Sequence, residues 1–297
     1  MNQLIMIRNL LIITGFTLFV SCKETPKKAD EITVQKEEVK KPIVKLYTFN
    51  GGSVLVNKLE LFSQDTTYQG KTKQFSDAFY VISHPKGNLI WDSGLPEGLV
   101  GLPEPFTSPD GAFTISRKDS VKNQLKTINL VPEDFTYVAL SHTHFDHTGT
   151  ANVFKNATWL VQEAEYDYVT SEEVQKANTD VYNSIKELTN VKKLNGDFDV
   201  FGDGSVVIKS MPGHTPGHQV LFLDLSEHGP VLLSGDLYHF NENRTHQRVP
   251  SFNFDADITL ESMEAFEMFA KEKNATVYIQ HELDDFNKMP KAPKYLQ

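Results

Sequence analysis

Three histidines and an aspartate fall within six positions of this 297-residue chain, in the segment SHTHFDHTG at 141–149. In an extended segment, residues two apart face the same side, so His142 and His144 can hold one ion between them. Asp146 and His147 follow at the start of a turn and point elsewhere, where a second ion could bind. Imidazole nitrogens and carboxylate oxygens are donors that zinc and other first-row divalent metals take in proteins. The segment therefore predicts a metal site with room for two cations.

Further residues of the metal-ligand type follow apolar runs elsewhere in the chain. Asp92 follows LIW, Asp236 follows LLSG, and His281 follows VYIQ. Polar side chains at the strand ends of an α/β sheet commonly meet in one crevice, where loops build a site on a rigid frame. We therefore expect these three side chains to lie near the 142–147 cluster.

Short apolar runs recur from Ile43 onward, and their β-branched and aromatic content and their bounding Gly or Asp residues are typical of strands. The intervals 171–188 and 259–273 have the character of helices. The second interval predicts a helix with one buried face, formed at three-residue steps by Leu260, Met263, Phe266 and Phe269. This alternation predicts one α/β domain from residue 43 to the end. The nine strand-like runs are VKLYTF, FYVIS, NLIWDSG, YVALSH, TWLVQ, VVIKS, QVLFLDL, VLLSGD and TVYIQH.

The first 42 residues are typical of an export signal followed by a tether. Arg8 precedes an apolar run at 10–20, as in a signal peptide, which we place at 1–21. Cys22 is the only cysteine, so no intramolecular disulfide can form. The segment FVSC resembles a bacterial lipobox, which implies a lipid on Cys22; a plain secretory signal is the alternative. Residues 22–42 are poor in large apolar side chains and predict a disordered tether. We expect a cell-envelope lipoprotein, in the outer membrane or periplasm, or a secreted protein.

The charge of the chain bears on its partners. Of 29 basic and 39 acidic residues, 7 and 5 fall within the first 42 positions, so the predicted domain carries 22 and 34. An acidic domain of this kind repels phosphate backbones, which excludes nucleic acid as the expected partner. Membrane contact is expected only through the lipid anchor.

The ligand motifs together resemble those of the metallo-β-lactamase superfamily. HTHFDH matches its HxHxDH signature, and MPGHTPGH, SGD and IQH follow in the family's order. The resemblance implies an αββα sandwich in a single domain, with the metals at one edge. It implies that one metal is held by His142, His144 and His214, and the other by Asp146, His147 and His281. It further implies that Asp236 bridges the metals and that Asp92 supports the loops.

A pair of zinc ions, or of other first-row divalent metals, would allow this site to catalyse hydrolysis. Two such ions about 3.5 to 4 Å apart lower the pKa of water between them toward about 7. That provides a nucleophile at neutral pH without a catalytic serine or cysteine. Asp146 could carry the proton that is released to the leaving group.

Within the superfamily, the chain most resembles the N-acyl homoserine lactonases, including secreted, lipoprotein-like members from Bacteroidetes. LIWDSGLPEG, PGHTPGHQ and the tail KMPKAPKYLQ carry this likeness. It implies opening of the lactone ring of quorum-sensing signals, that is, quorum quenching, and a possible homodimer. The alternatives are a secreted metallohydrolase acting on thioesters or β-lactams, and a non-catalytic metal-binding envelope lipoprotein. The β-lactam reading is weakened because two-zinc lactamases have cysteine where Asp236 stands.

The chain departs from the lactonase pattern beside the predicted bridging aspartate. Many of these lactonases have a tyrosine three residues after it, which helps to hold the lactone carbonyl. Here GDLYHF puts His239 at that offset and Tyr238 one position earlier. Either could donate to an oxyanion, and alternation along an extended segment favours His239. The alternative is that both side chains only pack beneath the site.

An acyl tail needs apolar cover, for which two Pro- and Phe-containing loops are candidates, at 95–113 and 240–254. We expect either a tail-binding wall or ordinary packing under long loops from Phe106, Phe113, Phe252 and Phe254.

The four remaining histidines are expected outside the ligand set. We expect His218 to be a packed supporter, His84 and His228 to be turn residues, and His246 to be solvated.

Overall fold

Each of the nine strand-like runs overlaps a strand in the protein, which is represented by a computed structural model that describes residues 41–297. The predicted signal peptide and nearly all of the predicted tether lie outside the described residues. The strands form two mixed sheets, one of eight strands in the order β4-β5-β1-β2-β3-β6-β7-β8 and one of five in the order β13-β12-β11-β10-β9. The strands are β1 (Lys45–Val56), β2 (Lys73–His84), β3 (Gly87–Trp91), β4 (Phe106–Thr107), β5 (Phe113–Ser116), β6 (Phe135–Ala139), β7 (Thr158–Gln162), β8 (Val191–Leu194), β9 (Phe198–Asp199), β10 (Val206–Ser210), β11 (Gln219–Leu225), β12 (Gly229–Leu233) and β13 (Thr276–Tyr278).

Helices cover the outer faces of both sheets. The interval 171–188 was expected to be helical but contains two short helices, because Asn178 has non-helical dihedrals and interrupts it. No helix in residues 41–297 combines the length and the apolar character needed to cross a membrane. The helices are α1 (Val121–Lys126), α2 (Phe145–Thr148), α3 (Glu163–Val169), α4 (Glu172–Ala177), α5 (Thr179–Ile185), α6 (Asn241–His246), α7 (Ala256–Lys273) and α8 (Leu283–Lys288).

Three apolar clusters give the molecule its layers. The central cluster lies between the two sheets and includes Trp91 of β3 and Leu223 of β11. A second cluster joins the eight-stranded sheet to α1 and α5, and a third joins the five-stranded sheet to α7. The order is therefore helices, sheet, sheet, helices, which confirms the predicted αββα sandwich.

Helix α7 corrects one sequence prediction. Met263 and Phe266 are fully buried against the five-stranded sheet, but Leu260 is 39% exposed. Three residues of an α-helix turn through about 300°, so each three-residue step drifts by about 60°. Four residues at such steps span half of the helix circumference, and the first of them leaves the buried face. Thr259 and Ser262 are buried on that face.

Candidate metal centre

The structure brings together the seven side chains that the sequence proposes as ligands. Four form a first group, and three form a second group. In each group the donor atoms lie within 4.8 Å of one another. The first group is His142, His144, His214 and Asp236, and the second group is Asp146, His147 and His281. Apart from Asp236, which the family resemblance places between the two metals, this is the partition that the resemblance implies. The roles of these residues as ligands stay predictions.

These residues follow the ends of strands and lie at one edge of the sandwich. The loop after β6 carries His142 and His144, and α2 follows at once with Asp146 and His147. A short 3₁₀ turn after β12 carries Asp236, and the first turn beyond β13 carries His281. The 211–218 loop between β10 and β11 supplies His214. The ligands thus come from segments that directly follow strands β6, β10, β12 and β13.

The donor atoms of the first group have a spacing that suits a single metal ion. The Nδ1 atom of His144 lies 2.9 Å from His142 Nε2 and 3.1 Å from His214 Nε2. Asp236 Oδ2 lies 3.7 Å from the His142 nitrogen and 3.5 Å from the His214 nitrogen. Ligands about 2.0 to 2.1 Å from a tetrahedral zinc ion are roughly 3.3 Å apart. The donor set and its spacing therefore fit one such ion.

The second group shares Asp236 with the first through the other carboxylate oxygen. Asp236 Oδ1 lies 3.3 Å from His147 Nε2 and 3.1 Å from His281 Nε2. Asp146 approaches the same two rings, at 3.9 Å and 3.6 Å. Both Asp236 Oδ1 and His147 Nε2 are buried, and neither has a hydrogen-bond partner among residues 41–297. Buried polar atoms of this kind need a partner, and a cation between them would be one.

Groups behind the ligands fix the direction of their rings. His147 Nδ1 pairs with Asp92 Oδ2 at 3.1 Å, and His281 Nδ1 donates to the carbonyl of Ser76 at 2.8 Å. His214 Nδ1 lies 2.8 Å from the side-chain oxygen of Asn253. Each contact turns the Nε2 atom of the ring toward the cluster, as in known metal–histidine sites. Asp92 also accepts the N–H of Ser141 at 2.6 Å, the loop-supporting contact that the resemblance implies.

The histidines of the two groups differ in the direction of their pKa shifts. Burial lowers the pKa of His142 and of His214 well below the ordinary value, so both rings are neutral at pH 7. Burial acts on His147 and His281 in the same direction, but the neighbouring carboxylates, Asp236 first, outweigh it. They raise the pKa of both rings, and that of His281 to about 9. A cation entering the second group must therefore displace protons.

His239 and Tyr238 have different surroundings. His239 Nε2 lies 3.1 Å from Asp236 Oδ2, and its ring packs edge-on against Phe62 with centroids 4.8 Å apart. The Tyr238 hydroxyl instead donates to the carbonyl of Met263, in α7, at 3.4 Å. Only His239 of the two lines the cavity over the metal groups. The structure thus brings His239 to the site and turns Tyr238 away from it.

A cavity of about 290 Å³ opens over the two groups. Of the four phenylalanines proposed for the acyl tail, Phe113 and Phe252 line it. Phe106 does not, because it lies on the short edge strand β4 and is 48% exposed. Phe254 does not either, since its ring lies against Tyr168 and is 59% exposed. The remaining apolar wall consists of Val54, Leu61, Phe62, Phe75 and Phe145.

The sequence interpretation missed those five wall residues. Phe145 lies inside HTHFDH, between two predicted ligands, and that position was a usable signal. Phe62 and Phe75 come from a 3₁₀ turn and from β2, far from any ligand motif. Nothing in their local sequence distinguishes them from ordinary core residues.

The other histidines lie outside the two groups. His218 is buried, donates from Nδ1 to the carbonyl of Met211, and accepts the N–H of Asp236 at 3.0 Å. Burial lowers its pKa to about 4, so it supports Asp236 as a neutral ring. His84 precedes a turn but is buried and stacked on Phe201, whereas His228 lies in the β11–β12 turn. His246 is exposed as expected, although it ends α6 rather than lying in a loop.

Comparison with known proteins identifies relatives. The family model of the metallo-beta-lactamase superfamily matches residues 73–281. The N-acyl homoserine lactonase AttM of Azorhizobium caulinodans is 31% identical over 231 residues, covering 73% of this chain and 86% of the relative. An N-acyl homoserine lactonase of Bacillus sp. is 29% identical over 261 residues, covering 86% and 99%. A solved N-acyl homoserine lactone hydrolase with N-hexanoyl-L-homoserine at its catalytic metal centre has a TM-score of 0.72 and 27% identity, covering 85% and 98%.

The opposite pKa shifts predict that zinc binding to the two groups differs in its dependence on pH. Chelator-treated protein titrated with Zn²⁺ at pH 7 should release protons when the second group fills, because His147 and His281 are then protonated. Filling of the first group should release none from its neutral rings. The affinity of the second group should rise as the pH rises toward 9. An indicator dye in weak buffer measures the protons, and equal release in both steps would contradict the prediction.

Proposed function

The chain belongs to the metallo-β-lactamase superfamily, and we propose that it is a metal-dependent lactonase that opens the ring of N-acyl homoserine lactones. The observation that carries the proposal is the position of the two ligand groups at the base of an apolar cavity. A charged reaction centre beneath apolar walls suits a substrate with a polar ring and an acyl tail. The lactonases that this chain resembles over most of its length act on such molecules.

Two zinc ions are our proposal for the metals, because five imidazoles and two carboxylates in groups of this size match zinc's preferred donors. When bound, such ions polarise a carbonyl and lower the pKa of water, so that hydrolysis proceeds at neutral pH. The chain's own residues must then orient the lactone, move a proton and exclude bulk water.

Asp146 is our candidate for moving the proton. Its side chain is 14% exposed, and it lines the cavity while one oxygen lies 3.6 Å from His281. A carboxylate with one side on the metal group and one on the cavity can accept a proton and return it to the leaving alkoxide. His239 lines the cavity next to Asp236, and its imidazole is our candidate for a hydrogen bond to the carbonyl oxygen as negative charge develops there.

Phenylalanine side chains are our candidates for holding the acyl tail. Phe62, Phe75, Phe113, Phe145 and Phe252 surround the cavity and leave little polar surface above the metal groups. Burying a methylene group against such walls contributes about 0.8 kcal/mol. Affinity should therefore rise with tail length until the tail extends beyond the cavity.

Export and lipid attachment at Cys22 complete the proposal, on the support of the signal-like segment before it. A homodimer is also proposed, on family resemblance alone. Fractionation of cells that produce the full chain tests the anchor: the protein should enter the membrane fraction, and Cys22→Ser should release it. Equal membrane association of both chains would contradict lipid attachment, and the mass of the purified protein in solution tests the dimer.

Zinc-loaded protein should open a series of N-acyl homoserine lactones with a mass gain of 18 Da, and KM should fall as the tail lengthens. The physical reason is the apolar wall above the metal groups. Mass spectrometry and rate measurements check both statements, with zinc content counted. Chromogenic esters, thioesters and nitrocefin serve as comparison substrates. Intact lactones together with cleavage of a comparison substrate would indicate another hydrolase, and bound zinc with no turnover would indicate a metal-binding lipoprotein.

A matched pair of variants tests the oxyanion donor. His239→Leu removes the imidazole that lines the cavity, and its kcat should fall on the order of 10²-fold, the usual loss for one oxyanion donor. Tyr238→Phe removes a hydroxyl that is directed into α7, and its kcat should stay close to that of the parent. Zinc content must be measured for both. A larger loss for Tyr238→Phe than for His239→Leu would contradict the assignment.

A further inference from the structure

Glu165 is a buried carboxylate that lies behind the first group and is not one of the predicted ligands. It stands in the first turn of α3 and is 1% exposed. One oxygen, Oε1, accepts hydrogen bonds from the N–H and the hydroxyl of Thr143, at 2.8 and 2.6 Å. The other oxygen, Oε2, accepts the N–H of Gly217 at 2.9 Å. Both carboxylate oxygens are thus engaged, each by a different loop.

The two loops are those that carry the histidines of the first group. Thr143 stands between His142 and His144, and Gly217 lies three residues after His214. The donors are 22 and 52 residues away from Glu165 in sequence. One carboxylate therefore connects the segment with two of the rings to the segment with the third.

The contact with the second loop is a close one. A Cβ atom on Gly217 would lie 2.5 Å from the backbone nitrogen and from the Cβ of Glu165. No side chain fits in that space, so the loop backbone packs directly on the first turn of α3. Within residues 41–297, no lysine, arginine or histidine forms an ion pair with Glu165. Its polar partners are therefore the hydrogen-bond donors of the two loops.

The hydrogen-bond pattern calls for a carboxylate at this position. An ionised carboxylate accepts on both oxygens, whereas a glutamine amide accepts on one side and donates on the other. At Glu165, a glutamine would turn an N–H toward either Thr143 or Gly217, both of which donate. One loop would then lose its partner while staying buried, which costs more than the loss of an exposed hydrogen bond.

We propose that Glu165 is a positioning residue that sets the spacing of the first group's histidines and thereby its affinity for a divalent cation. It acts through the peptide of Thr143, which fixes the relation of His142 to His144, and through Gly217, which fixes the loop of His214. The proposal rests on metal binding by the first group but not on the identity of the substrate.

The test measures Zn²⁺ affinity one group at a time, by competition with a chromogenic chelator. His281→Ala disrupts the second group and leaves the first group complete, whereas His214→Ala disrupts the first. Glu165→Gln is added to each background. Glu163→Gln is the matched control, because it is the same change on the same helix at an exposed position. The absorption spectrum of Co²⁺ bound to the first group reports its geometry independently of affinity.

In the His281→Ala background, Glu165→Gln should weaken zinc binding by about 10- to 100-fold, the usual effect of removing a group that orients ligands. The Co²⁺ spectrum should change with it. In the His214→Ala background the effect should be less than about threefold, and Glu163→Gln should change neither group. An unchanged first group, or equal weakening of both groups, would overturn the proposal. If the His281→Ala parent itself binds no zinc, the metal-binding premise fails instead.

A milder pair of variants covers the case in which Glu165→Gln does not fold. Thr143→Val removes only the hydroxyl donor and keeps the backbone contact, and it should weaken zinc binding by the first group on the order of fivefold. Thr143→Ser retains the hydroxyl and should bind zinc as the parent does. Equal affinities of Thr143→Val and Thr143→Ser would overturn the proposal.

Discussion

One buried carboxylate, Asp236, is shared between two groups of imidazole rings, and the site depends on that sharing. One oxygen faces His142 and His214, and the other faces His147 and His281. A charge buried this deeply is costly unless it is compensated, and burial of Asp236 is offset by the neighbouring rings of His281 and His147. The carboxylate thus lies between the two groups and contacts rings of both.

Residues around the site hold Asp236 and the ligand histidines in place through hydrogen bonds. The N–H of Asp236 is accepted by His218, and the preceding residue, Gly235, has a left-handed φ of 51°. A Cβ at Gly235 would lie 2.7 Å from His218 Nε2, so the close approach requires glycine. Asp92, Asn253 and the Ser76 carbonyl orient the ligand rings in the same manner. Strand β2 and the segments that follow β3 and α6 therefore hold the ligand rings in place from behind.

The cavity combines a polar floor with apolar walls. Its floor consists of carboxylates and imidazoles, and its walls are mainly aromatic rings that expose little polar surface. Water-poor walls strengthen electrostatic interactions at the floor, because the local dielectric constant is lower than that of bulk water. The same walls favour substrates that carry an apolar tail. Binding and reaction are thus two consequences of one arrangement of side chains.

The sequence by itself predicted nine of the thirteen strands in residues 41–297 and the local ligand spacing, because strand-like apolar runs and the HxHxDH pattern act over a few positions. The αββα layering was implied by the family resemblance rather than by any local pattern. The sequence also favoured His239 over Tyr238 by short-range alternation. Tertiary structure alone decided that Phe113 and Phe252 face the cavity while Phe106 and Phe254 face solvent. It alone joined two ligand loops through Glu165. These outcomes depend on contacts between segments far apart in the chain, and no local pattern of residue types encodes which distant segment will lie opposite.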